Sequence, residues 1–216
     1  MFDVNGRFFR ALSKVADLVI LNILFLICCI PVFTIGAATT ALYGVTKNMA
    51  QNRESYIVRS YFKTFKENFK QSTIMWLILL ALLGFACLDL YISNYIWKGI
   101  GKTLFTGLMT LTIIMVLFVM QYALTLQCTF ENTIKNTLKN ALFMSIGHLP
   151  WSVLITTVSL SPLAVIVALP QYLGVEMMAM FVLWFSAAAY INSFMFNRIY
   201  KKYMPKNEKG VEDEAL

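Results

Sequence analysis

The chain has 216 residues, 59% of them hydrophobic and 13% charged, with a mean hydropathy of +0.68. Soluble domains are roughly 45–50% apolar and about 25% charged, and a chain this short has too little interior to hide the excess from water. Part of its solvent must be lipid, which excludes a soluble enzyme, a secreted disulfide module and a free DNA-binding domain. The formal charge is +7, from 18 Lys and Arg against 11 Asp and Glu. In such a chain the basic residues are first a record of membrane sidedness and not a nucleic-acid footprint.

Taken in chain order, Arg7, Arg10 and Lys14 precede 28 residues, 18–45, without a charge. An upright span needs about 20 residues, so this stretch is too long for one. Pro31 and the run Gly36-Ala37-Ala38-Thr39-Thr40 divide it; proline removes a backbone donor and glycine loosens a helix. The pattern predicts a hairpin of two short helices over 16–46. A basic n-region followed by an apolar core also fits a cleaved signal peptide, but the charge-free stretch runs well past an ordinary core.

Residues 55–71 read as an amphipathic helix. Val58, Phe62, Phe65 and Phe69 recur at helical spacing, and Arg59, Lys63, Lys66 and Lys70 form a second stripe beside them. An aromatic face next to a lysine face suits a helix lying in the headgroup region against anionic lipids, or a surface docking a cytoplasmic partner. Spans follow near 73–94 and 103–127. After them comes a second amphipathic segment, in which Lys135 and Lys139 flank Phe130, Ile134, Leu138, Ala141 and Leu142. Residues 65–72 and 134–141 share a degenerate pattern, a hint of internal duplication that similar interfacial helices would also produce. The last spans lie near 149–170, interrupted by Pro162, and 175–197, with a polar tail at 206–216.

The expected fold is all-α: one transmembrane helical domain over 1–205, with about six transmembrane helices, both termini inside, and cytoplasmic interfacial amphipathic helices. With a hairpin at the N-terminus, 16 of the 18 basic residues fall on one face and only Lys98 and Lys102 lie opposite. Short-loop Lys and Arg prefer the cytoplasm, so the expectation is a multi-pass protein of the cell membrane with both termini cytoplasmic.

Catalytic signals are missing from the sequence. His148 is the sole histidine, and there is no Ser-His-Asp set, convergent carboxylate pair or Walker motif. Cys28, Cys29, Cys87 and Cys128 fall in or beside apolar spans without metal-ligand spacing. No enzymatic activity, cofactor, metal or nucleic-acid partner is therefore expected. Asp17, Asp89 and Glu176 sit near span ends, within reach of an interface. Gln121, Gln127, Asn192 and Asn197 read as glue between helices. Trp97, Trp151, Tyr91, Tyr95 and Tyr172 fit an aromatic belt better than a sugar-stacking surface.

The segment Asp17-Leu-Val-Ile-Leu-Asn22, then Cys29-Ile-Pro31-Val-Phe-Thr34-Ile-Gly36-Ala-Ala-Thr-Thr40-Ala-Leu-Tyr43, then Phe62-Lys-Thr-Phe-Lys-Glu-Asn-Phe-Lys70, resembles the YesL family of small bacterial polytopic membrane proteins, mostly from Gram-positive organisms. The resemblance is specific in the N-terminal third and continues as a span pattern beyond it. It implies a gene neighbourhood of carbohydrate ABC importers, and hence a non-enzymatic accessory subunit for sugar or oligosaccharide uptake. The partners so implied are the importer's permease subunits, with the ATPase as a further candidate. It carries no established catalytic residues. Physically, Asn22, Pro31, Thr34, Gly36, Thr39 and Thr40 form a candidate helix-packing or partner-docking motif. Arg59, Phe62, Lys63, Phe65, Lys66, Phe69, Lys70, Glu131, Lys135 and Lys139 form a candidate cytoplasmic interface. The spacing from Glu131 to Leu149-Pro150 is similar to the coupling loop of ABC importer permeases, although Asn132, Thr133 and Thr137 replace its small residues. A small independent transporter or channel, and a membrane regulator working through the basic helix, are the alternative functions.

Overall fold

The computed structural model describes residues 7–51, 56–96 and 98–203, and every regular element among them is helical. Arg53, Trp97 and the tail 206–216 lie outside the described residues. Helix α1 (Arg7–Cys29) ends before Ile30-Pro31 and a 3-10 turn at Val32–Thr34; α2 (Ile35–Ala50) then runs back. Next come α3 (Ile57–Ile96), α4 (Gly99–Gln127), α5 (Ile134–Gly147) and α6 (Leu149–Ala168). The last stretch is a 3-10 turn at Pro170–Tyr172, α7 (Leu173–Ala179), a π turn at Met180–Trp184 and α8 (Phe185–Tyr200).

Five helical stretches are long and apolar enough to cross a bilayer: Leu12–Cys29, Ile57–Ser93, Gly99–Gln127, Leu149–Ala168 and Pro170–Tyr200. They mark a multi-pass membrane protein. Where the sequence suggested six crossings, α2 is the element that falls short. Its 16 residues make about 24 Å of helix, and it carries Thr39, Thr40, Thr46 and Lys47 among small apolar residues. It is instead the buried centre of the bundle, with Ala37, Ala38, Thr40, Ala41, Val45 and Thr46 at zero exposure.

The expected interfacial helix and the span after it are one uninterrupted element. No proline occurs in α3, and its first glycine is Gly84, so nothing breaks the helix where the lysines give way to apolar residues. Forty residues rise about 60 Å, twice the thickness of a hydrocarbon core. The face of α3 that packs inward carries Ile57, Tyr61, Ser72, Met75 and Leu79. Val58, Phe62 and Phe69 remain exposed, and Phe65 alone of the expected apolar stripe packs onto the core.

The core gathers at one end. Around α2 it includes Leu21 and Phe25 of α1, Tyr61, Met75 and Leu79 of α3, Val119, Tyr122, Ala123 and Leu126 of α4, Ile155 of α6, and Ala189, Phe196, Ile199 and Tyr200 of α8. At the other end α3 and α4 leave Phe85, Leu88, Ile100, Leu104 and Leu108 exposed, and Gly99 at φ 66° makes the turn between them. Water would oppose that much bare apolar surface; lipid does not.

Candidate functional site

Two arrangements of polar side chains stand out. The first ties the α1–α2 hairpin to the bundle. Proline at position 31 and the π turn each free backbone groups from their helices, and at membrane depth these must find partners within the protein. Asn22, fully buried in α1, supplies them at the π turn: its Nδ2 donates to Met180 O at 3.1 Å and Phe181 O at 2.7 Å, and Ser186 N–H donates to its Oδ1 at 3.1 Å. At the hairpin turn, Thr34 Oγ1 lies 2.6 Å from Cys28 O and 2.7 Å from Pro31 O, while Trp76 Nε1 donates to Val32 O at 3.0 Å. Thr40 Oγ1 donates to Ser72 Oγ at 2.9 Å, and Thr39 Oγ1 bonds Ile35 O within its own helix. Gly36 faces α3 so closely that a Cβ there would stand 2.6 Å from Ser72 O. The structure thus sets Asn22 against the π turn, Gly36 and Thr40 against α3, and Thr34 within the hairpin turn that begins at Pro31, with Thr39 on the rim of a neighbouring cavity.

The second is a ladder of uncharged groups between α2, α4, α6 and α8. Asn192 Nδ2 donates to Ser159 Oγ at 3.0 Å and to Tyr43 Oη at 3.4 Å; Ser159 Oγ donates to Gln121 Oε1 at 3.1 Å. Further toward the basic end, Thr46 and Ser193 hydroxyls meet at 2.9 Å and those of Thr125 and Tyr200 at 2.6 Å. Ser152 Oγ, on α6, lies 2.8 Å from Ser145 O and 3.2 Å from Tyr122 Oη. Beside the ladder is a cavity of about 200 Å³ whose walls include Tyr43, Trp76, Gln121, Ser159 and Trp184. Asn192 Oδ1 is buried without a partner among the described residues. Sequence reading found Gln121 and Asn192 as polar points in apolar spans. It missed Thr46, Thr125, Ser152, Ser159, Ser193 and Tyr200, whose hydroxyls do not stand out in a helix until its neighbours are known.

The candidate interface residues stand on the basic end. Arg59, Lys63, Lys66 and Lys70 are exposed on α3 beside Phe62 and Phe69, whereas Phe65 is half-buried. On α5 the inward face is Thr137, Ala141 and Ser145; Lys135 and Lys139 are exposed, Lys139 Nζ lies 5.9 Å from the Phe143 ring centre, and Glu131 is exposed just before the helix. Leu142, Phe143 and Ile146 add exposed apolar surface to α5. Gln127, at the end of α4, ties that helix to α3 through Nε2, 2.8 Å from Gln71 Oε1 and 3.3 Å from Asn68 Oδ1. Cys128, just past the end of α4, is half-buried, and loss of hydration pushes its thiol pKa up, so it is a poor nucleophile. The described residues hold no group of three or more His, Cys, Asp or Glu able to bind a metal ion.

No curated protein and no solved structure matches this chain. A family model described as "Protein of unknown function, DUF624", the wider family that includes YesL proteins, matches residues 18–90, about a third of the chain, from the middle of α1 to near the end of α3.

Proposed function

We propose that this chain is a non-enzymatic accessory membrane subunit of a bacterial carbohydrate or oligosaccharide ABC importer. It lies in the cell membrane with both termini on the cytoplasmic side and binds the permease subunits. The observation that carries this reading is the basic end. There, α3 offers Arg59, Lys63, Lys66 and Lys70 with Phe62 and Phe69, and α5 offers Lys135 and Lys139 with Leu142, Phe143 and Ile146, all exposed and none spent on the core. Such a surface suits anionic headgroups and the cytoplasmic side of a neighbouring membrane protein; the importer as neighbour comes from the resemblance to YesL proteins. The ATPase is a further candidate partner for the same surface. The test is gentle solubilisation of native membranes, affinity capture of the chain and mass-spectrometric identification of what comes with it. Permease and ATPase subunits are expected, together with slower sugar uptake after deletion of the gene. Isolation of the chain alone, with uptake unchanged, would sink the reading.

A second reading, a small independent transporter, draws on the cavity beside Asn192 and on the two helix irregularities near it, Pro162 and the π turn. Against it, most ladder groups are already paired with one another, as structural glue would be. Solute flux into liposomes containing only this chain would favour it over the first.

A further inference from the structure

The turn between α1 and α2 has an unusual surface for a loop. Ile30, Val32 and Phe33 are 79%, 61% and 50% exposed, with no charged residue between Asp17 and Lys47. Its backbone is closed off as though water were absent: Ile30 N–H reaches Ile27 O, Thr34 N–H reaches Pro31 O, Thr34 Oγ1 covers Cys28 O and Pro31 O, and Trp76 covers Val32 O. The turn joining α3 to α4 is different in kind, with Lys98 at its start and Lys102 a turn later.

Depth can be read along α3. The α1–α2 turn rests on Trp76, six residues past Lys70 and twenty short of Ile96. At 1.5 Å per residue that is about 9 Å beyond the last lysine and about 30 Å below the far end of the helix. The rest of α2 lies still nearer the basic end: Gly36 faces Ser72 and Trp76, Gly44 faces Thr64, and Thr46 meets Ser193 of α8. From the α1 side, Asn22 and Phe25 both meet the turns Met180–Ser186, Phe25 through the Phe185 ring at 5.3 Å. No part of this pair accompanies α3 and α4 through their outer halves.

We propose that α1 and α2 form a re-entrant hairpin, which enters the bilayer from the basic side and turns back within it, with Ile30, Val32 and Phe33 seated among lipid acyl chains of that leaflet. Four helical stretches then cross fully: α3, α4, α6 and α7–α8. The sidedness of the charges is unchanged, because a re-entrant hairpin returns to the face it left. Length and apolarity qualify α1 as a span, yet a helix lodged in one leaflet needs the same apolar coat.

Four single-cysteine chains in a background lacking the four native cysteines test this in intact cells with a membrane-impermeant maleimide. Lys98→Cys is expected to react from outside, and Tyr56→Cys only after the cells are permeabilised. Val32→Cys should react in neither condition and only after detergent solubilisation; Ile30→Cys, still more exposed on the protein, repeats the measurement at a second site. A nitroxide at position 32 should be relaxed by oxygen and not by a water-soluble nickel chelate. Labelling of Val32→Cys from outside would show a full crossing, and labelling on permeabilisation would place the turn in water; either result overturns the proposal.

Discussion

Asn22 shows how one side chain can decide where a helix sits. Its amide offers two donors and one acceptor to three backbone groups that the π turn leaves near it. Replacing it with alanine strands those groups at membrane depth, where no water can serve them. Asn22→Ala is therefore expected to cost about 1–2 kcal/mol, somewhat above the average interhelical bond in a membrane, measured as a lower unfolding midpoint in detergent. Gly36 is the complementary case, a residue required for lacking a side chain. Gly36→Ala should cost about 1–3 kcal/mol by forcing α2 away from α3, and Ser72→Gly in the same chain should restore nothing, because the clash is with the Trp76 Cβ and the Ser72 carbonyl. Both residues stood out in the sequence, one as an amide in an apolar span and the other in a small-residue run. Their partners did not. Met180 and Phe181 look like ordinary apolar residues, and the π turn that frees their carbonyls has no signature in the chain.

At the scale of elements, α3 carries the clearest difference between pattern and structure. The lysines end and the apolar run begins near residue 72, which reads as a boundary between two helices. Nothing in the residues enforces a break there, and backbone hydrogen bonding continues through it. The hydrophobic periodicity was also shared between two faces. Tyr61, Ser72 and Met75 took the core side, and Phe62 and Phe69 were left outside. Because Lys63, Lys66 and Lys70 contribute nothing to packing, the triple change Lys63→Gln, Lys66→Gln, Lys70→Gln should leave the unfolding midpoint unchanged. It should weaken adhesion to anionic vesicles, by about 1 kcal/mol for each lysine near the surface, an effect that added salt should imitate in the unmodified chain. Within the hairpin turn, Thr34→Val removes the hydroxyl that covers two carbonyls and should lower stability by about 1 kcal/mol; Thr34→Ser, which keeps the hydroxyl, should recover most of it.

For the whole molecule, the core is concentrated around α2 at the basic end while the outer halves of α3 and α4 touch little but each other. Substitutions should map this asymmetry. Met75→Ala, at zero exposure, is expected to cost about 2–5 kcal/mol. Leu108→Ala, more than half exposed in the outer half of α4, should stay within about 0.5 kcal/mol. Equal losses at the two positions in reversible unfolding would mean that a partner or a second packing layer covers the outer half.

Composition and charge order determined the solvent and the helical class, because hydropathy and charge act residue by residue and need no knowledge of neighbours. They also marked the chain break at Pro31, a local property of the backbone. What only the tertiary structure decided is where in the bundle that break lies and what surrounds it. An apolar segment costs the same to bury whether it crosses the bilayer or turns back inside it, so its length leaves the two alternatives level. The contact of Trp76 with Val32, the fit of Gly36 against Ser72 and the three bonds of Asn22 carry the proposed re-entrant hairpin, since each is a distance between residues far apart in the chain.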